Sequence, residues 1–340
     1  MKRKGKLAPK REGRLTTIVI TKETTLLMAF AILIFVFTAV LVSSLDDIKR
    51  MVYGAKPGVS LEDRIISGLL ANEVRRVVEA MAEQERTAPK DAMFFKETGE
   101  VIAEAPGLDI DVELTVDRVM KAKPGDNVDL ARTVIAPAIT RRHFNAIYRV
   151  DTARQVMAIA VNVAWGENYL PRLLEILREH NMKATFFIDG EWAQKFPDLV
   201  RLLSEEGHEL ANHGYRHAHV EKMNEPAIKQ LISDNEKLLI SFGVRPSKLF
   251  APPYGECNQT VLSAAASLGY VTTMWTIDTL DWKTEEYEKV VNRVTPKIAP
   301  GAIILAHPTE VFLDALPKII DASRKAGYRF LTISDALELD

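Results

Sequence analysis

The chain has 340 residues, long enough for two domains that each bury a core. It is 47% apolar and 26% charged, which is the composition of a globular protein. A formal net charge of -2 gives no reason to expect nucleic acid as a partner, and the single cysteine, Cys257, excludes an internal disulfide framework.

The amino-terminal segment joins a basic leader to a long apolar run. Residues 1–25 hold eight Lys or Arg and two Glu, and residues 26–42, LLMAFAILIFVFTAVLV, contain one polar residue, Thr38. About twenty helical residues span the hydrocarbon layer of a bilayer. We predict a transmembrane anchor over residues 26–45 and a basic cytoplasmic tail over residues 1–25. The rest of the chain is then outside, because positive residues stay on the cytoplasmic side.

Two other interpretations of this segment are less consistent with its flanks. A cleaved signal peptide has a shorter apolar core followed by a small-x-small site, and VLVSSLDD at residues 40–47 is a poor cleavage site. A buried core helix would not be expected beside so cationic a tail. The sequence therefore favours an uncleaved anchor.

Residues 56–143 are predicted to form a small α+β module. The segment at residues 67–84 has apolar residues at helical spacing, and LDIDVELTVDRVM starts with strand alternation and continues as a second amphipathic helix. Through GVSLEDRIISGLLANEV, TGEVIAEAPGLDIDVELTV and PAITRRHF, the module resembles a peptidoglycan-binding module of anchored wall proteins. The resemblance implies glycan binding. A spacer that lifts the second domain off the membrane is the alternative.

Residues 154–340 alternate between short apolar strands and amphipathic helices. The strands are predicted at QVMAIAVNV, ATFFI, HELAN, KLFAP, YVTTMWTI, GAIILAH and YRFLTI. Repeated βα units predict a parallel sheet, and about seven of them predict a distorted (β/α) barrel, so the expected fold class is α/β. In such barrels the chemistry lies just after the strands. That rule selects Asn162, Asp189, His213, Tyr254, Asp278, Asp281 and His307.

The histidines of ELANHGYRHAHV, residues 209–220, suggest half of a metal site. His213 and His217 are four positions apart, which suits two imidazole ligands on one divalent ion. An isolated H-x-x-x-H pair is more often solvated on a surface, so the spacing alone does not establish ligation.

Four motifs in order strengthen the case for a site. GHELANHGYRH is followed by APPYGE, WTIDTLDW and GAIILAH. In this order they resemble the motifs of polysaccharide deacetylases, the NodB-homology or carbohydrate esterase family 4 fold, over roughly residues 154–335. The resemblance implies hydrolysis of an N-acetyl amide on peptidoglycan or a related N-acetylated glycan, with release of acetate. In that family a metal held by one Asp and two His activates water, a second Asp is the base, and a His protonates the leaving amine.

The resemblance assigns roles to six residues of this chain. His213 and His217 match the two metal histidines, His307 matches the acid, and Asp281 matches the carboxylate that orients it. Trp282 matches the residue that forms the wall of the acetyl pocket. Tyr254 matches the residue whose backbone N–H donates to the oxyanion.

The first motif departs from the family pattern. Where the family has T-F-D-D-G, this chain has VNVAWGE. Aligned from the strand, Asn162 takes the base position and Val163 the metal-ligand position; aligned from the glycine, the pair is Ala164 and Trp165. Both alignments lose both carboxylates, and the Arg that braces the base is Ala251. An Asn cannot serve as a base near neutral pH. The variant resembles the sporulation-associated branch of the family.

The expected cofactor is a divalent metal, zinc by its preference for histidine, and it is expected to be weakly bound or absent. Two His and water leave a zinc site one protein ligand short. Glu167 or Asp189 are the candidates for a third ligand, with Glu256 and Cys257 as weaker ones.

Two functions remain open from the sequence. One is a membrane-anchored, extracytoplasmic deacetylase-family protein that acts on peptidoglycan or a related glycan, with weak or lost catalysis. The other is a noncatalytic wall protein that uses the same groove for glycan binding or partner docking. A plain structural barrel explains poorly why His213, His217, Asp281 and His307 occur together.

Overall fold

The computed structural model describes residues 21–339. Most of the predicted basic tail, residues 1–20, lies outside the described residues, as does Asp340. Contacts between Cα atoms divide the described residues into two compact units, formed by residues 21–87 with 108–133 and by residues 88–107 with 134–339. Residues 88–107 and 134–143 of the module predicted over residues 56–143 fall in the second unit by this division, and the module stays a prediction.

The first helix, α1, spans Lys22–Tyr53, 32 residues or about 48 Å at about 1.5 Å per residue. It begins at the cap Thr21, whose side-chain oxygen accepts the backbone N–H of Thr24 at 3.3 Å. None of its residues is buried. Within residues 21–339, α1 is the one helix that is long and apolar enough to cross a membrane.

The segment from residue 54 to residue 135 contains two helices and seven short strands. They are β1 Ser60–Leu61, β2 Arg64–Ile65, α2 Ala71–Glu85, β3 Met93–Phe95, β4 Glu100–Ile102, β5 Gly107–Ile110, α3 Val112–Lys121, β6 Asn127–Val128 and β7 Arg132–Ile135. In the first unit, Val74 and Val78 of α2 share a buried cluster with Val116 and Val119 of α3. The helical spacing predicted for α2 and the strand-then-helix pattern from residue 108 are both present.

The second unit continues with eight strands and eight helices. They are β8 Val156–Val163, α4 Leu170–Glu179, β9 Thr185–Ile188, α5 Gly190–Lys195, α6 Pro197–Glu205, β10 Glu209–Asn212, α7 Glu225–Ser241, β11 Leu249–Phe250, α8 Gln259–Ser267, β12 Val271–Thr272, β13 Ile277–Asp278, α9 Tyr287–Val294, β14 Ile303–Ala306, α10 Glu310–Lys325, β15 Arg329–Leu331 and α11 Ile333–Leu337.

These eight strands form one parallel sheet in the order β12-β11-β10-β9-β8-β14-β13, and β15 also pairs with β8. The two ends of this order, β12 and β13, belong to a single stretch, residues 271–278, with a bend at Thr276. Its first half pairs with β11 and its second half with β14, so the sheet curls round on itself. The predicted α/β fold is confirmed, and the predicted distorted barrel takes the form of a curled parallel half-barrel.

Strand β8 lies at the centre of this sheet, and all eight of its residues are buried. Its side chains alternate between two apolar clusters. Ile159, Val161 and Val163 pack in the large cluster that includes the surrounding helices, whereas Ala158 and Ala160 pack in a second cluster with residues of the neighbouring strands. The next even-numbered residue, Asn162, therefore belongs to the inner face.

Candidate functional site

A pocket of about 420 Å³ lies at the carboxyl ends of β8, β10, β11, β13 and β14, the edge expected for the chemistry of a parallel sheet. It is lined by Asn162, Ala164, Trp165, His213, His217, Tyr254, Gly255, Trp275, Asp278, Trp282, Leu305 and His307. The structure thus brings together most of the residues predicted from sequence. Asp281 stands behind His307, and Asp189 does not line the pocket.

The end of β8 decides which residues of the degenerate first motif face the pocket. Asn162, Ala164 and Trp165 line it, whereas Val163 is fully buried in the helix-side core. The turn that follows requires a glycine: Gly166 has φ +85°, and a Cβ there would lie 2.3 Å from the carbonyl oxygen of Pro308. Of the two sequence alignments, only the one anchored on this glycine places both degenerate positions at the pocket.

His213 has a tautomer fixed by the backbone. Its Nδ1 lies 2.7 Å from the carbonyl oxygen of Ala251, and because a carbonyl only accepts, Nδ1 carries the proton and Nε2 keeps a lone pair. Burial, reinforced by the nearby His217, lowers the pKa of His213 to about 3. The two imidazole rings are 5.1 Å apart between centroids, edge to face. Burial, followed by the proximity of His307, also lowers the pKa of His217.

Two buried asparagines hold the loop that carries these histidines, and sequence analysis did not identify them. Asn212 Oδ1 accepts the backbone N–H of Gly214 at 2.8 Å and the Nδ2–H of Asn235 at 3.0 Å. Asn235 Nδ2 also donates to the carbonyl oxygen of Ile188 at 2.8 Å. Two features of the sequence could have indicated them: Asn212 ends an apolar strand, and Asn235 lies on the apolar face of α7.

His307 and Asp281 form a pair with two hydrogen bonds. His307 Nδ1 lies 2.9 Å from Asp281 Oδ1, and the backbone N–H of His307 donates to Asp281 Oδ2 at 2.7 Å. The Asp281 side chain is fully buried. Trp165 stacks on the His307 ring with 5.8 Å between centroids and 7° between planes. The geometry expected for a histidine oriented by a carboxylate is present.

Aromatic side chains surround the mouth of the pocket. Trp165, Tyr254 and Trp282 remain 43%, 57% and 55% exposed, respectively. Tyr254 adopts a left-handed backbone conformation, φ +59°, and its ring stacks on His219 at 4.2 Å. His219 is in turn 2.6 Å from a carboxylate oxygen of Glu256. The sequence pattern selects Asp278 as a residue that follows a strand and Trp165 as a position of the first motif, whereas it gives no signal for Trp275.

The pocket residues do not fit the metal that the family implies. Within residues 21–339, no group of three His, Cys, Asp or Glu side chains is arranged to hold an ion. Neither Glu167 nor Asp189 lines the pocket, and Asp189 Oδ1 instead caps α5 by accepting the N–H of Trp192 at 3.0 Å. Glu256 pairs with His219, and Cys257 is also outside the lining. Among the described residues, His213 and His217 are thus two candidate ligands without a third.

The chain is similar to proteins described as polysaccharide or peptidoglycan deacetylases, to an uncharacterized protein and to a pseudoenzyme. The profile described as polysaccharide deacetylase matches residues 149–273. The chain is 31% identical over 277 residues to the uncharacterized protein YlxY of Bacillus subtilis, covering 74% of this chain and 85% of YlxY. It is 32% identical over 196 residues to a peptidoglycan-N-acetylglucosamine deacetylase of Bacillus cereus, covering 56% of this chain and 92% of that enzyme.

Among solved structures, a CE4 family pseudoenzyme from Bacillus anthracis matches with a TM-score of 0.56 and 29% identity, covering 77% of this chain and 94% of the pseudoenzyme. A mutant of the same protein, described as having restored enzymatic activity, also matches with a TM-score of 0.56. The relatives, the curled parallel sheet and the order of motifs agree. The chain belongs to the polysaccharide deacetylase family.

Proposed function

We propose that this protein is a membrane-anchored, extracytoplasmic member of the family that engages peptidoglycan or a related N-acetylated glycan and has weak or no deacetylase activity. The observation that carries the proposal is the end of β8, where the side chains facing the pocket are Asn162, Ala164 and Trp165, with no carboxylate among them. Amide hydrolysis at neutral pH needs a base for the attacking water, and neither an amide nor an alkyl or indole group can take up the proton.

The loss of the base is matched by the loss of its brace. An Arg at position 251 beside residues without a carboxylate would be an unpaired charge in a cleft. Ala251 is buried at this position, and its carbonyl oxygen accepts the Nδ1–H of His213. What remains of the reaction machinery is the His307–Asp281 pair. A histidine that can donate a proton to a leaving amine accomplishes little when no water has attacked the carbonyl.

The location follows from α1 and its flanks. The helix is long enough to span a bilayer, and the basic residues that precede it favour an orientation with the amino terminus in the cytoplasm. Residues 46–340 then face the wall. We propose glycan binding as the role of the module within residues 56–143, with a spacer role as the alternative.

A wholly noncatalytic, glycan-binding or docking protein is the second candidate. The exposed faces of Trp165, Tyr254 and Trp282 favour it, because amphipathic aromatic rings bind the apolar faces of sugars and need no base. The two candidates differ in whether any acetate is released.

The test measures both properties on one preparation. The full chain in detergent is incubated with peptidoglycan and with N-acetylglucosamine oligomers, and acetate release and co-sedimentation with insoluble wall are recorded. We expect sedimentation with little or no acetate. Trp282→Ala should weaken sedimentation, whereas the surface variant Asp198→Asn should not. Acetate release at a rate ordinary for the family would overturn the proposed loss of catalysis.

A further inference from the structure

Two polar groups of the pocket are acceptors, and one of them is a carboxylate. His213 directs its one N–H to the carbonyl oxygen of Ala251, so the other ring nitrogen is an acceptor. Asp278 also lines the pocket, and its Oδ1 accepts the backbone N–H of Leu280 at 2.9 Å. Among the described residues, no Lys or Arg lines the pocket. A ligand rich in donors and positive in charge would satisfy this set.

Asn162 adds a polar atom that lacks a partner. Its Oδ1 is buried and has no hydrogen-bond partner within the described part of the chain. A buried acceptor without a donor destabilises the folded protein. Rotation of the amide by half a turn exchanges its oxygen and nitrogen at almost no change in shape, so the side chain can offer its oxygen to a donor in the pocket.

The walls suit a cation for a separate reason. Four aromatic side chains, Trp165, Trp275, Trp282 and Tyr254, line the same pocket. The face of an indole or phenol ring attracts a cation through its quadrupole, and the attraction increases when the cation is partly removed from water. Acceptors, a carboxylate and aromatic faces thus occur together in one cavity.

We propose that this pocket receives the free amino group of a de-N-acetylated hexosamine within a wall glycan strand. An ammonium group has three N–H donors and no acceptor, and it carries the charge that Asp278 and the rings favour. The inference rests on the proposed function, in that the groove must engage glycan, and it specifies which sugar occupies the pocket.

An N-acetylated sugar makes the opposite demand at the same place. Its acetamido carbonyl is an acceptor, and in the family it is met by a metal ion. Here the two histidines lack a third ligand, and no Lys or Arg side chain lines the described pocket to replace the ion. The groups that remain therefore favour the amine over the amide.

The test compares two tetrasaccharides that differ only in N-acetylation. The full chain in detergent is titrated with glucosamine tetramer and with N-acetylglucosamine tetramer by calorimetry, in the presence of EDTA. We expect the amino tetramer to bind at least about tenfold more tightly, the scale of one charge pair together with a cation–π contact. Asp278→Asn keeps the acceptor for the Leu280 N–H and should reduce the preference to about threefold or less.

Controls separate this proposal from the one it rests on. Asp198→Asn removes an exposed carboxylate elsewhere in the second unit and should leave the preference unchanged. Trp282→Ala removes one of the rings that attract the cation and should weaken the amino tetramer more than the N-acetylated one. Chemical N-acetylation of isolated wall should reduce sedimentation. Equal or tighter binding of the N-acetylated tetramer would overturn the amino-group proposal while leaving glycan binding intact. Failure to bind either tetramer or wall would overturn the proposed function, and this inference with it.

Discussion

His307 gives both its side-chain Nδ1 and its backbone N–H to a single carboxylate, that of Asp281, at 2.9 Å and 2.7 Å. The carboxylate therefore joins the loop after β13 to the end of β14, in addition to orienting the imidazole. Retention of the pair has a structural cause, since a buried carboxylate and the groups it accepts depend on one another. The pair can therefore persist for structural reasons whether or not a catalytic base is present.

Replacement of Asp281 tests this structural role. Asp281→Asn keeps the shape of the side chain but turns an N–H₂ group towards one of the two N–H donors of His307. That donor of His307 then has no acceptor. We expect the free energy of unfolding of the second unit to fall by about 1 to 3 kcal/mol. All four tryptophans of the chain are in this unit, so their fluorescence during urea unfolding reports on it alone.

The matched control is Asp278→Asn, since Asp278 lies three residues away but accepts only the N–H of Leu280 through Oδ1. It should shift the urea midpoint less than Asp281→Asn does. Equal shifts for the two variants would contradict the view that the double acceptance of His307 is the important contact.

The asparagine pair beneath the histidine loop predicts a second stability effect. Asn235→Leu removes the donor to Asn212 Oδ1 and to the carbonyl oxygen of Ile188, and both acceptors are buried. We expect a loss of about 1 to 2 kcal/mol, since two buried acceptors each lose one of their two donors. Asn224→Ala on the same helix removes an exposed cap and should cost about 1 kcal/mol.

The fold was predictable because the second unit repeats a simple pattern. Six of the seven strands predicted between residues 154 and 340 each correspond to one strand of the sheet, and the remaining one, YVTTMWTI, contains both β12 and β13. The apolar run of β8 marks it as central because both of its faces are buried. The polar residues that follow parallel strands gather at one edge of any such sheet. That rule predicts that His213, Tyr254 and His307 share one edge of the sheet, and all three line the pocket.

The details that failed prediction depend on contacts distant in sequence or on where a strand ends. Asn212 and Asn235 meet across 23 positions, and no local pattern encodes that contact. Asp189 follows β9 as expected, but its carboxylate turns to cap α5. The sequence leaves two alignments of the first motif open, one from the strand and one from the glycine, because periodicity does not show where a strand ends. The burial of Val163 in the core favours the alignment from the glycine.

Asp189 predicts a pH dependence of stability. Burial raises its pKa to about 7 in the folded protein, against an ordinary value of 3.8. Between these values the folded state holds a proton that the unfolded state releases, so the free energy of unfolding should fall as pH rises from about 4 to about 7. Asp189→Asn can still accept the Trp192 N–H and should flatten this dependence. The free energy of unfolding of the variant, relative to that of wild type, should therefore increase by about 1 to 3 kcal/mol from pH 4 to pH 8.

Tryptophan fluorescence during urea unfolding at each pH measures the effect. The exposed variant Asp198→Asn controls for the loss of one negative charge from the same unit. A wild-type profile that rises between pH 4 and pH 7 and is unaltered by Asp189→Asn would contradict the assignment of Asp189 to this dependence.

The two-histidine arrangement predicts weak zinc binding. Substitution of residues that hydrogen-bond to metal ligands alters metal affinity by about 10 to 100-fold. The loss of a ligand itself should therefore leave micromolar or weaker affinity for zinc. Calorimetric titration of the purified chain with zinc checks this, and His217→Ala should abolish what binding remains. Nanomolar binding that is lost in Glu167→Gln or Asp189→Asn would instead reveal a substituted third ligand.

The last prediction uses the register of β8 to design a gain of activity. Ala164 and Trp165 both line the pocket, so Ala164→Asp with Trp165→Asp and Ala251→Arg returns two carboxylates and their brace to positions that face it. We expect this triple variant to release acetate from N-acetylglucosamine oligomers in a zinc-dependent manner. The base alone should contribute about 10² to 10⁴-fold in rate over wild type. His307→Ala added to the triple variant should abolish the gain, since the leaving amine then lacks its acid.

The control for this design is the other alignment, Asn162→Asp with Val163→Asp and Ala251→Arg. Val163 is buried in the helix-side core, so an Asp there places a carboxylate among apolar side chains and should destabilise the fold by several kcal/mol without adding activity. Acetate release and urea unfolding are measured on both triple variants. Activity in the strand-aligned variant together with none in the glycine-aligned one would show that Asn162 and Val163 are the base and ligand positions after all, and that the core around Val163 rearranges to admit a carboxylate.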